Sequence, residues 1–114
     1  MPLPYRTQGI IDTAAQDTCI AASIGDTLRL DPVRYGPMHT ASGEKRSAVY
    51  HLTVQLDWSD DHPPDPIPVF AHEAVVAGAE MLVGLDVLRQ GRLVLDGPKG
   101  EYELFLPRRA RTAS

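Results

Sequence analysis

The sequence contains a single cysteine, few aromatic residues (6%) and no apolar run long enough to span a bilayer. One cysteine, Cys19, excludes an internal disulfide and any metal site built from several cysteines. The beginning of the chain also lacks the apolar segment of a secretory signal peptide. These absences predict a protein without a membrane partner and a cytoplasmic location, where a free thiol stays reduced.

Positive charge is outnumbered by negative charge. Eleven Lys and Arg residues against fifteen Asp and Glu residues give a net charge of −4, so nothing in the composition attracts a nucleic acid. The four histidines, at positions 39, 51, 62 and 72, lack the spacing of a metal site. Cys19 is expected to be a small buried residue rather than a nucleophile. We therefore expect no metal and no cofactor.

The remaining composition is that of one globular domain. The chain has 114 residues, of which 43% are hydrophobic and 23% are charged. Ten prolines and nine glycines favour turns and short elements over long helices. We predict a folded domain over residues 1–106 and a basic, disordered tail over residues 107–114.

Alternation of apolar and polar residues predicts a mostly β structure. Ser47–Leu56 is the clearest strand, with Val49 as an apolar exception on its polar face. It belongs to a predicted hairpin with one arm at residues 38–41 and a polar tip at 42–46. Weaker patterns predict strands or turns over 17–24, a strand around Leu28 and Leu30, turns at 31–32 and 36–37, and an edge strand at 67–71. Near the end, the sequence predicts strands at 81–83, 92–95 and 101–106, and a single short helix at 85–90.

A short stretch near the start carries a candidate catalytic group. The β-branched pair Ile10-Ile11 reads as the end of a strand, and Asp12-Thr13 before two small residues reads as a turn. A buried strand would thereby deliver a carboxylate to a fixed place on a tight loop. Taken alone, this stretch favours an ordinary turn.

A second stretch changes that interpretation. Met81-Leu82-Val83-Gly84-Leu85-Asp86-Val87-Leu88 lies far downstream of Asp12. Together the two stretches resemble the retropepsin family, the retroviral-type aspartic proteases and their cellular relatives. That family carries Asp-Thr/Ser-Gly-Ala near its start, and an apolar pair, Gly, any residue, Asp or Asn, an apolar residue and Leu near its end. The resemblance runs from about Ile10 to Leu106 and implies an all-β, retropepsin-like half-barrel.

The resemblance also implies roles for individual residues. The catalytic loop would consist of Asp12, Thr13 and Ala14, with Thr13 bonding across a dimer axis. Support for the loop would come from three residues that tie it to the short helix: Thr18, Gly84 and Asp86. The tip of the hairpin would be a flap that closes over substrate, formed by Thr40, Ala41, Ser42 and Gly43.

Hydrolysis of a peptide bond by carboxylates needs two of them, which hold one proton between them; aspartic proteases are the best-known instance. This chain offers one such loop, so a working site requires two chains related by a two-fold axis. The resemblance thus implies a homodimeric aspartic endopeptidase that acts on peptides or proteins. The strand at 101–106 is expected to join the two chains, because it would otherwise be an exposed edge.

One departure from the family leaves alternatives open. Ala14 stands where the family has glycine; its methyl group would lie where two loops nearly touch, and alanine disfavours positive φ. Reduced activity is expected from this. The chain could instead be a binding or scaffolding domain with the same fold and little catalysis. A further alternative is a β-rich interaction domain in which Asp12 is only a turn residue.

Overall fold

The computed structural model describes residues 5–40, 43–57 and 64–106. The elements of this part of the chain are β1 (Gly9–Ile11), β2 (Cys19–Ile20), α1 (Ala22–Thr27), β3 (Arg34–Thr40), β4 (Gly43–Val54), β5 (Ile67–Glu73), β6 (Met81–Val83), α2 (Leu85–Leu88), β7 (Arg92–Asp96) and β8 (Glu101–Phe105). The prediction of a mostly β structure is confirmed. Within these residues, no helix has the length and apolarity needed to cross a membrane.

Six strands form one sheet in the order β1-β6-β2-β5-β4-β3. β6 lies between β1 and β2, parallel to β1 and antiparallel to β2. The chain that leaves β1 must therefore pass over the end of β6 before it returns as β2. This crossing places the loop of residues 12–18 beside α2, because α2 begins directly after β6.

The two faces of this sheet differ in composition. One face packs the core, which includes Ile20, Tyr50, Ala71 and Val83. The opposite side, which we call the open face, is traced by strand register, since partners in neighbouring strands point to the same side. One row of the open face crosses the whole sheet: Ile10, Leu82, Cys19, His72, Val49 and Arg34.

The strand predicted over Ser47–Leu56 is confirmed as the second half of β4. Ala48, Tyr50 and Val54 are buried, whereas His51 and Thr53 are exposed, so the predicted alternation holds in the second part of this strand. Ser47, predicted on the polar face, is buried as well. The predicted hairpin is present as β3 and β4, but its pairing continues to Thr40 and Gly43 rather than ending in a tip at 42–46.

The turn predicted at Gly36-Pro37 is wrong, because both residues lie inside β3. β3 is an edge strand of the six-stranded sheet, where the missing N–H of a proline can face away from the neighbouring strand. The prediction of an edge strand at 67–71 is also wrong, because β5, which contains Pro68, lies between β2 and β4. At Pro68 itself, β5 is paired with β4 alone, because β2 pairs with β5 only at His72 and Glu73.

The prediction of a single helix is also wrong, since α1 occupies part of the segment predicted as strand or turn. Tertiary packing accounts for α1: Ile24 is buried, and a Cβ at Gly25 would lie 3.2 Å from Tyr50 Cζ. The strand predicted around Leu28 and Leu30 is absent, and both leucines pack against the core after the helix ends. A helix of six residues is less than two turns, too short to show a helical period in the sequence.

α1 ends in a Schellman motif. The Leu30 N–H donates to Gly25 O at 2.9 Å, and the Arg29 N–H donates to Asp26 O at 3.2 Å. Arg29 takes the left-handed position of this motif with φ of 53°, where glycine is the usual residue. The motif turns the chain sharply, so that the segment after α1 leads into β3.

β7 and β8 form a separate two-stranded sheet that extends the molecule. Leu93 and Leu104 are partners on one face, and Leu104 packs against the core. Further along the same face, Leu95 and Tyr102 are partners but are 71% and 61% exposed. The apolar face of this hairpin therefore continues beyond the core of the chain.

Candidate functional site

Asp12 follows β1 directly and begins the loop that crosses β6. Its N–H donates to Val83 O at 3.0 Å, which continues the pairing of β1 with β6. Its Oδ1 atom accepts the Ala14 N–H at 2.8 Å, and its carbonyl accepts the Ala15 N–H at 3.3 Å. This side-chain-to-backbone turn fixes the orientation of the carboxylate.

Thr13 and Ala14 lie exposed at the outside of this loop. That alanine disfavours a positive φ has no effect at position 14, because Arg29 alone among the described non-glycine residues has a positive φ. The Ala14 N–H reaches Asp12 with ordinary backbone angles, so alanine costs the isolated loop no backbone strain. Any effect of the Ala14 methyl group on activity must therefore come from contact with another molecule that approaches the exposed side of the loop.

The loop is clamped to the start of α2, and the structure brings Thr18 and Asp86 together as the resemblance implies. The Thr18 N–H donates to Asp86 Oδ2 at 2.9 Å, and the Thr18 hydroxyl donates to Asp86 Oδ1 at 2.8 Å. Thr18 is fully buried, and its Oγ1 also accepts the Gly84 N–H at 3.3 Å. Two backbone bonds complete the clamp, from Leu85 N–H to Ala15 O and from Asp86 N–H to Gln16 O.

Gly84 is where the loop and α2 come closest. A Cβ at this position would lie 2.7 Å from the carbonyl carbon and oxygen of Asp17, and 2.9 Å from Ala15 O. Real side chains do not approach backbone atoms so closely, so only glycine allows the loop to pack here. Asp86 adds a favourable charge, because a carboxylate in the first turn of a helix faces unpaired N–H groups.

The surroundings of the loop are acidic. Burial raises the pKa of the Cys19 thiol, and the charges of Asp17, Asp86 and Asp12 raise it further. A thiol with a raised pKa stays protonated near neutral pH, and the thiolate is the nucleophilic form. Catalysis through a Cys19 thiolate is therefore disfavoured. The described residues contain no group of three or more His, Cys, Asp or Glu side chains placed to hold a metal ion.

The hairpin end that the resemblance assigns as a flap is described only in part. Thr40 and Gly43 are partners at the end of the β3–β4 pairing, and Gly43 has φ of 121°, a conformation that favours glycine. Ala41 and Ser42 lie outside the described residues, as do residues 107–114 of the predicted tail.

The sequence did not single out a group of polar residues on the open face. There His72 Nε2 lies 3.6 Å from Asp17 Oδ2, near Arg34 and the buried Ser47. The available signal was Val49, the apolar exception on the polar face of β4, which is completely buried. An apolar residue there indicates that something covers that end of the face.

Comparison with protein-family models, with curated proteins and with solved structures found no match to this chain.

Proposed function

We propose that the chain is an aspartic endopeptidase of the retropepsin type, with a half-barrel fold, that works as a homodimer. The clamp between Thr18 and Asp86 carries this proposal. It uses a fully buried threonine and both oxygens of a carboxylate to hold one short loop in a fixed shape. An ordinary surface turn needs no such support, whereas a catalytic group must be held within a fraction of an ångström.

The proposed chemistry needs Asp12 from two chains across a two-fold axis. The two carboxylates share one proton, because two negative charges within hydrogen-bond distance are costly. The ionised member takes a proton from the attacking water, and the protonated member donates its proton to the scissile carbonyl oxygen. The Ala14 N–H, which donates to Asp12 Oδ1, orients the carboxylate.

A second copy of the chain is the proposed partner, and two features support it. The Asp12 loop exposes Thr13 and Ala14, and the β7–β8 hairpin exposes Leu95 and Tyr102. A two-stranded hairpin is only marginally stable when its apolar face is open to water. A peptide or protein is the proposed substrate.

A binding or scaffolding domain with the same fold is the second candidate. It is favoured by Ala14, because the methyl group lies on the exposed side of the loop where a second loop would approach. In this case the clamp would maintain the shape of a binding surface rather than a catalytic geometry.

The deciding experiment measures cleavage of a diverse peptide pool by the wild-type protein and by Asp12→Asn, with light scattering to establish the oligomeric state. We expect cleavage by the wild-type dimer and a loss of at least about a thousandfold in the variant. Exposed Asp31 supplies the matched control, since Asp31→Asn removes a carboxylate outside the loop.

The pH profile of cleavage is expected to be bell-shaped and shifted to acid, because one carboxylate must be ionised and the other protonated. A confirmed dimer that cleaves nothing between pH 3 and 7 would contradict the enzyme and favour the binding domain. Inhibition by chelators, or full activity at alkaline pH, would indicate a different mechanism.

A further inference from the structure

A small recess lies on the open face of the sheet, above Gly36 in β3. The position that a Cβ would take at Gly36 is 2.7 Å from Arg34 Nη1, 3.5 Å from Val49 Cγ2 and 3.8 Å from His72 Cε1. Because glycine has no side chain, the guanidinium of Arg34 can lie in this space. Val49 forms the floor of the recess and His72 one of its walls. We refer to it as the Gly36 recess.

Two buried polar atoms at the recess have no hydrogen-bond partner in the described part of the chain: Ser47 Oγ and His72 Nδ1. Both residues are only 8% exposed. Ser47 is the register partner of Gly36, and His72 is the partner of Val49, so both border the same space. A buried polar atom without a partner costs about 1–3 kcal/mol, which makes a pair of them in one place a feature that needs an explanation.

The charged groups around the recess favour an anion. Arg34 has no carboxylate within ion-pair distance among the described residues; its guanidinium carbon lies 6.0 Å from the centre of the Phe70 ring. The nearby acid, Asp17, faces Nε2 of His72 and so lies on the other side of the imidazole from Nδ1. Arg34 and the Ser47 hydroxyl can therefore both donate hydrogen bonds to one acceptor, and His72 can join them through a proton on Nδ1.

We propose that the Gly36 recess is a subsite for an acidic side chain of the peptide substrate, an inference that rests on the proposed function. A carboxylate matches the planar donors of Arg34 and would satisfy both unpartnered atoms. The recess lies on the same row of the open face as Leu82 and Cys19, which lead from it towards the Asp12 loop.

The sheet geometry also gives the position of the acidic residue in the substrate. Three strand spacings separate β1, which ends directly before Asp12, from β5, which carries His72, and five separate it from β3, which carries Arg34. At about 4.8 Å per spacing the separation is roughly 14–24 Å, and an extended peptide covers about 3.3 Å per residue. The acidic side chain should therefore lie about four to seven residues from the cleaved bond.

The first test is cleavage of peptide pairs that differ only by Glu or Gln at each position from about four to seven residues away from the cleaved bond. At one of these positions, we expect kcat/KM to favour Glu by at least about tenfold, the contribution of a charged hydrogen bond. Arg34→Gln should bring the Glu-to-Gln ratio close to one. Gly36→Ala should lower it as well, because the methyl group displaces the flexible end of Arg34.

Arg46→Gln is the matched control, since Arg46 lies on the same hairpin but donates to Tyr35 O. It should keep the wild-type ratio. Cleavage of both peptides at equal rates by the wild-type protein would overturn the subsite while leaving the protease in place. A Glu-to-Gln ratio that falls equally in Arg34→Gln and Arg46→Gln would overturn the subsite too, because the overall positive charge of the hairpin would then explain the preference for Glu.

A second measurement does not depend on catalysis. Asp12→Asn protein is titrated with acetylated alanine hexapeptides that contain one Glu or one Gln, and backbone amide shifts are followed by NMR. Shifts at Gly36, Ser47 and His72 with the Glu peptide alone would support the recess as an acidic-peptide site even if no cleavage were found. Equal shifts with both peptides, or none with either at millimolar concentration, would overturn it.

Discussion

Ala14 places a methyl group on the exposed side of the Asp12 loop without straining the backbone. In the proposed dimer this methyl group meets the partner's loop, and a displacement of about 1 Å at a catalytic group can cost on the order of a hundredfold in rate. We predict that Ala14→Gly raises kcat/KM for peptide cleavage. The same change should lower the free energy of unfolding by roughly 0.4–1 kcal/mol, because glycine adds entropy to the unfolded chain.

Ala77, which is exposed in a turn, provides the control for this prediction. Ala77→Gly should carry a similar cost in stability with no gain in activity. If wild type and Ala14→Gly cleave at equal rates, the methyl group is tolerated and the prediction is wrong.

Thr18 is the residue on which the shape of the loop depends most. Thr18→Val keeps the volume of the side chain but removes the hydroxyl that donates to Asp86 and accepts from Gly84. The buried Gly84 N–H then loses its acceptor, and a buried polar group without a partner costs about 1–3 kcal/mol, so we predict a loss of that size in urea unfolding. Peptide cleavage should fall as well.

Thr53→Val makes the same change at an exposed position of β4 and should alter stability by less than about 0.5 kcal/mol. Equal unfolding midpoints for the two valine variants would show that the clamp contributes nothing to stability.

Among the elements, β4 and the strands near the end of the chain were predicted from their patterns, whereas α1 was not. Alternation from Ala48 to Val54 identified β4, because seven residues are enough to show a period of two. The six residues of α1 carry no such signal, and their helix depends on the contacts of Ile24 and Gly25 with residues far away in the chain.

Local signals also misled where tertiary position decides. Gly36-Pro37 is a common turn pair, but at the sheet edge the proline is tolerated and the glycine makes room for Arg34. At the site, the sequence pattern predicted the Asp12 turn, and the resemblance to retropepsins implied the pairing of Thr18 with Asp86. It could not give the Gly36 recess, because that recess joins β3, β4 and β5 through their register.

The segment before β1 contacts two carboxylates: Tyr5 and Thr7 bind Glu80, and Arg6 forms an exposed ion pair with Asp57 at 3.5 Å. Glu80 accepts hydrogen bonds from the hydroxyl groups of Tyr5, Ser23 and Thr7. The bond from Tyr5, followed by that from Ser23, lowers the pKa of Glu80 below its usual 4.5. The same bond raises the pKa of Tyr5 above 10.0.

These shifts predict the pH range over which the segment stays attached. A carboxyl group with a lowered pKa stabilises the folded state at pH values above its ordinary pKa. This stabilisation is lost as the pH falls through the lowered pKa. A phenol with a raised pKa stabilises the folded state below pH 10.0, and this stabilisation is lost as the pH rises through the raised pKa. Amide hydrogen exchange of residues 5–8, relative to its intrinsic rate, should therefore accelerate as the pH falls below 4.5 and again as it rises above 10.0.

Glu80→Gln separates the attachment from general acid denaturation. Glutamine can still accept from Tyr5 but does not titrate, so the acid-side acceleration should disappear while exchange in β4 stays as in wild type. An unchanged acid-side transition in Glu80→Gln would contradict the assignment.

For the whole molecule, the exposed apolar face of β7 and β8 is the feature that most needs a partner. We predict that Tyr102→Glu converts the proposed dimer to a monomer, because a charge would replace an exposed aromatic ring at the interface. Light scattering at high micromolar concentration measures the change, and circular dichroism checks that the chain stays folded.

Val94→Glu is the control, since Val94 pairs with Glu103 on the opposite face of the same hairpin. It should leave the dimer intact. A monomeric wild-type protein at these concentrations, or a Tyr102→Glu variant that remains dimeric, would contradict this interface.

The position of β6 between β1 and β2 has a consequence for biosynthesis. β1 pairs with no strand but β6 in the described sheet, so residues 9–11 have no backbone partner until residues 81–83 have been translated. A ribosome that has made the first half of the chain holds an Asp12 segment that cannot yet take its shape. Such late closure between distant segments is slow and exposes apolar surface. The residues proposed to cut peptides thus stay unassembled on the nascent chain, which delays any activity until the domain has left the ribosome.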